Sequence, residues 1–141
     1  DRIQPGLNKF FLGPVSKQLY AGNIDIYSFK RSTRILRIIE SKRPGEELSD
    51  GERDVLPLLA RAIALLEQDG GVRRGSGVFV ITGEWEEDSD GKTRYPAGAM
   101  VRQVGIGDST EHELTEDELI DFLNSEVNQF PWDPPAPTDG A

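Results

Sequence analysis

GVFVITGEWEEDSDGKTRYPAGAMVRQVGI, Gly77 to Ile106, is the stretch whose reading decides the fold. Two apolar runs flank an acidic loop containing glycine, which is the pattern of a β-hairpin. Val78, Phe79, Val80 and Ile81 are consecutive, so the first strand is expected to be buried on both faces. The loop Glu86 to Thr93 is longer than a two-residue turn, and Asp90-Gly91 supplies its positive-φ corner. The return strand carries Met100, Val104 and Ile106 on one side and Ala99 and Val101 on the other, while Pro96 confines its start to an edge or bulge. The expected strands are about 77–86 and 95–106.

Helical patterns lie on both sides of this hairpin. Ser49-x-x-Glu52 is a capping box, in which the hydroxyl accepts from the N3 amide and the carboxylate returns to the cap amide. Behind it, Val55, Leu56, Leu59, Ala62, Ile63 and Leu66 form an apolar face, and Asp69-Gly70-Gly71 ends it. Pro57 is expected to kink this 49–68 helix or delay its start. Thr115 and Glu118 form a second capping box, with Leu114 and Leu119 as a hydrophobic staple, opening a helix over about 116–130 that Pro131 closes. A third helix is expected over 33–42, capped by Ser32, with Ile35, Leu36, Ile38 and Ile39 as its stripe. The β-branched content of that stripe leaves a strand reading open. Asn23 to Phe29 reads as a short strand.

The expected class is therefore α+β, a small antiparallel sheet centred on the hairpin and packed by three helices. The chain of 141 residues fits one domain, expected over 23–130. A basic, apolar arm (1–22) precedes it and a Pro-rich flexible tail (131–141) follows. The absence of cysteine excludes disulfides and thiolate chemistry. No apolar run reaches the length of a membrane span, and the start without Met fits either a trimmed chain or a processed organellar or exported one, a choice the sequence leaves open. Peripheral membrane contact through residues 1–22 is the less favoured reading of the arm, which has few basic residues and is broken by Gly13-Pro14.

Charge is unevenly spread. Residues 1–43 hold nine Lys/Arg against three acids, a surplus of +6, and the remaining 98 residues carry −15, giving −9 in all. Charge acts within about one Debye length, so this asymmetry says more about partners than the net value. A basic strip at 30–43 (Lys30, Arg31, Arg34, Arg37) suits an acidic protein surface or RNA. Duplex binding in winged-helix fashion is disfavoured, because the would-be wing tip is acidic.

No catalytic constellation stands out. The acidic loop, with Glu86, Glu87, Asp88 and Asp90, imitates the front of a calcium loop, but Ala97 falls where the bidentate acid belongs. The glycines of 70–77 and 105–107 match neither phosphate-binding fingerprint. His112, the single histidine, lies in an expected loop among acids and would be the base of any enzyme reading. Neither cofactor nor metal is implied.

The expected function is that of a non-catalytic accessory subunit or adaptor that binds other protein subunits. Phe10, Phe11 and Lys17 of the arm, the basic strip, the acidic loop and Trp132 of the tail are its candidate contacts. The alternatives are an acidic inhibitor or immunity-type protein that blocks a basic enzyme surface, and a small enzyme built on His112.

Overall fold

Five strands of the sheet run in the order β1-β2-β3-β6-β7, formed by Ile26–Lys30, Ile35–Lys42, Gly77–Thr82, Ala99–Gln103 and His112–Leu114. The computed structural model describes residues 26–105, 110–124 and 130–132. Two short strands, β4 (Glu86–Glu87) and β5 (Thr93–Arg94), form a separate ribbon between β3 and β6. Helix α1 spans Asp50–Gln68 and α2 spans Glu116–Asn124. The class is α+β, as expected, but the sheet is mixed: β2 pairs with β3 in parallel and the other neighbours are antiparallel.

The parallel pair follows from the main correction to the sequence reading. Residues 35–42 are a strand, not a helix. Ile35, Leu36, Ile38 and Ile39 satisfy a helical stripe and a strand buried on both faces equally well, and both sheet faces are covered here. Ile38 faces the α1 side with Val78 and Val80, and Ile39 faces the opposite side with Phe79 and Ile81. A parallel neighbour needs a crossover, which α1 provides. With a strand at 35–42, the helix–helix–hairpin order that a winged helix needs is not formed.

Local signals in the sequence set both helix starts. Ser49 Oγ accepts from Glu52 N at 3.2 Å, and Glu52 Oε1 accepts from Ser49 N at 2.8 Å. Thr115 and Glu118 repeat the arrangement at 2.9 and 3.2 Å. Leu114 and Leu119 are buried in one cluster, as a staple requires. Helix α1 runs through Pro57 and ends in a Schellman turn: Gly70, at φ 80°, donates to Glu67 O, and Gly71 donates to Leu66 O. Residues 125–129 of the expected second helix lie outside the described residues.

The hairpin strands are shorter than expected, pairing Phe79 with Gln103 through Thr82 with Met100. Residues 83–98 are committed to the β4–β5 ribbon and its turns instead. One core lies between the sheet and α1, holding Leu56, Ala60, Ile63, Val72 and Val104. The other lies on the opposite face with α2, where Leu119, Phe122 and Phe130 meet Phe79, Ala99 and Val101. His112 is in a strand rather than a loop, paired with Val101.

Candidate functional site

Strands β2 and β3 run in the same direction, so the loops before them share one end of the sheet. That end is basic. The turn between β1 and β2 places Arg34 at φ 58°, a left-handed conformation that costs a non-glycine residue about 1–2 kcal/mol. Four contacts hold it there. Arg34 N donates to Lys30 O at 2.7 Å, its carbonyl accepts from Arg73 N at 2.9 Å, its guanidinium donates to Gly71 O, and the same group lies 6.0 Å from the Phe29 ring. Leu36 N donates to Ser76 Oγ at 2.9 Å, which locks the two loops side by side. Lys30, Arg31, Arg34, Arg73 and Arg74 are thereby gathered around one turn, with Glu67 and Asp69 at the end of α1 as the nearby acids.

Beside this cluster β1 is the sheet's edge, and no described strand pairs with its outer side. Tyr27 and Phe29 are 53% and 45% exposed there. They lie opposite Ile38 and Leu36 in the register, hence on the α1 side, but α1 covers the inner strands and not β1. Sequence reading singled out Lys30, Arg31 and Arg34, and missed both the exposed aromatics and the contribution of Arg73 and Arg74. Alternation within IYSFK does put Tyr27 and Phe29 on one face; that the strand is an edge is a property of topology.

The opposite end is acidic. Seven residue steps along β2, at about 3.3 Å each, separate the two ends by roughly 23 Å. Asp88 Oδ1 accepts from the amides of Asp90 and Lys92, both at 2.9 Å, and Gly91 takes φ 76°, so the carboxylate that a calcium loop would offer is already engaged in the turn. Glu86, Glu87 and Asp90 point to solvent around it. Arg94 ties this ribbon to the start of α2: its Nε donates to Glu116 Oε2 at 3.0 Å, and Tyr95 N donates to the same oxygen at 2.6 Å. These bonds hold the Glu116 carboxyl below its usual range. Trp85 lies under Arg43, 4.7 Å from guanidinium to ring.

Two candidate contacts change character. Arg37 is 1% exposed, donating to Gly75 O at 2.9 Å and to Phe122 O, with the Phe122 ring 4.1 Å away. Burial lowers its guanidinium to about 10, far enough above neutrality to leave it charged. It therefore cannot touch a partner, and the basic strip at 30–43 is not one surface. Trp132 packs on its own domain, stacked on Phe130 at 5.0 Å and on the His112 ring at 4.5 Å. Phe10, Phe11 and Lys17 lie outside the described residues.

A second cluster of titratable groups joins β2 to the start of α1. Glu40 is 5% exposed and its carboxyl interacts with that of Glu52. Lys42 Nζ is 2.9 Å from Glu52 Oε1 and 3.8 Å from Glu40 Oε1. The interaction with Glu40, with the bonds from Ser49 N and Lys42, pushes the Glu52 carboxyl down to about 2. Burial opposes the Lys42 charge, but Glu52, Glu40 and Glu46 together hold its pKa above the usual lysine range. Every member has a partner within the cluster, which makes it a joint between two elements. Among the described residues no three potential ligands converge on a metal position, and no helix is long and apolar enough to cross a membrane.

Comparison with protein-family models, curated proteins and solved structures returns no match.

Proposed function

We propose that the chain is a non-catalytic protein-binding unit, an accessory subunit or adaptor of a larger assembly, and that it binds through the basic end of its sheet. One observation carries this reading: two large aromatic side chains stand exposed on an edge strand that no other described strand pairs on its outer side, next to a turn that gathers five cations. Exposed aromatics bordered by arginine are the composition of interface hot spots. The strained backbone of Arg34, held by four separate contacts, keeps that turn in one shape. Pre-ordering of this kind lowers the entropy lost on binding. The one histidine has a ring face covered by Trp132, which favours binding over an enzyme reading built on His112.

Affinity capture from the native source, at low and high salt, tests the proposal. The variant to compare is Arg31→Glu combined with Arg34→Gly, since glycine accepts the left-handed backbone and the turn should survive. The full chain is expected to retain a defined set of proteins in stoichiometric yield, and the variant to lose them. Retention of the same set by both would remove the basic end from the proposal.

The acidic ribbon supports a second reading, an inhibitor that presents Glu86, Glu87 and Asp90 to a basic enzyme surface. Its support is the ordering of that turn by Asp88. Charge reversal at Glu86 and Glu87 would abolish capture in that case, while changes at Arg31 and Arg34 would not.

A further inference from the structure

We infer that the open edge of β1 accepts an extended acidic peptide segment of a partner protein as an added strand. The inference rests on the protein-binding reading above and specifies the partner's chemistry.

The two edges of the sheet differ. β7 is three residues long, and its His112 is covered by Trp132. β1 is five residues long, IYSFK, with no proline and a single charge at its end. An edge of this kind exposes a row of backbone N–H and C=O groups and is normally shielded. Among the described residues nothing shields it, and Tyr27 and Phe29 form an apolar shelf on the α1 side where alternate side chains of an added strand would rest. Backbone pairing supplies affinity in such recognition, and pockets for alternate side chains supply selectivity.

Charge selects the acidic partner. Arg31 and Arg73 are exposed at the end of β1, and neither side chain meets a carboxylate among the described residues. Carboxylates of an extended segment running off the edge would meet them. A nucleic acid fits less well: it offers no strand backbone, and the acidic end of the domain and the net charge of −9 repel a long polyanion.

The test uses the full chain with a short synthetic peptide that alternates glutamate and valine. Controls are the same peptide N-methylated at alternate amides, a lysine–valine version and a single-stranded RNA oligomer. Affinity is read by fluorescence anisotropy, and the site by amide shifts and hydrogen exchange. The acidic peptide is expected to slow exchange at the β1 amides of 26–30. N-methylation, lysine substitution and Arg31→Glu are each expected to weaken binding about tenfold or more. Equal affinity for the N-methylated peptide overturns strand addition, and tighter binding of the RNA overturns the acidic peptide. Full protection of the β1 amides without peptide also overturns it. That result would mean the edge is already taken, by residues 1–25 if sedimentation shows a monomer and by a second copy if it shows a dimer. If peptide binding fails while capture still depends on Arg31 and Arg34, strand addition alone is wrong. If both fail, the protein-binding reading falls with it.

Discussion

Arg37 carries a full positive charge into the core without a carboxylate beside it among the described residues. Two backbone carbonyls and the faces of Phe79, Phe122 and Phe130 replace water around it. One of those carbonyls, that of Phe122, belongs to α2. Arg37→Met keeps much of the volume but leaves the carbonyls of Gly75 and Phe122 without this donor, at roughly 1–3 kcal/mol each. The expected loss in urea unfolding is about 2–5 kcal/mol; a loss below about 1 kcal/mol would mean that water replaces the guanidinium freely. Gly98 is a second residue with no tolerance. It sits at φ 75°, and a Cβ there would lie on the carbonyl oxygen of Leu114. Gly98→Ala is expected to cost more than about 3 kcal/mol, whereas Gly45→Ala, at φ 85° with open space around it, should cost only about 1–2 kcal/mol of backbone strain. Thermal unfolding of the two variants side by side measures the difference. Arg37 also marks where sequence reading fails at this scale. An arginine between apolar neighbours looks like a surface residue of a helix, and only its position in a strand covered on both faces puts it inside.

At the scale of elements, what was legible is what is local. Ser49–Glu52 and Thr115–Glu118 are complete signals within four residues, and both boxes form. The stop at Asp69-Gly70-Gly71 is equally local. Strand β2 is not, because ILRIIESK fits two periods and the parallel pairing with β3 decides between them. β7 escaped notice because His-Glu-Leu is too short and polar to show alternation. The joint between β2 and α1 gives this scale its pH dependence. The Glu52 carboxyl titrates near 2 when folded, against its ordinary value of 4.5. The folded state therefore binds fewer protons between these values. Its contribution is complete above about pH 4.5 and is lost as pH falls toward 2. Lys42 has the opposite sign: its raised pKa contributes below the ordinary lysine value of 10.5, and the contribution is lost as pH rises through the higher folded value. Glu52→Gln preserves the capping box chemistry and is expected to flatten the fall of Tm between pH 4.5 and 2 relative to the native chain. An unchanged acid limb would show that Glu52 is not held down by Glu40 and Lys42.

The whole molecule is a sheet with a basic end and an acidic end, each bearing an ordered turn. The basic and acidic halves were visible in the sequence, but not their separation into poles, which depends on β2 and β3 running in parallel. Arg73 and Arg74 join Arg31 and Arg34 for the same reason. The basic end and the β1 edge are the proposed partner surface. The measurement that tests this most directly is hydrogen exchange of the full chain, free and in the complex captured from its native source. Slowed exchange at the amides of 26–34, with residues 86–94 unchanged, is the expected result. Protection confined to 86–94, with β1 exchanging as in the free chain, would contradict the proposal and assign the interface to the acidic ribbon.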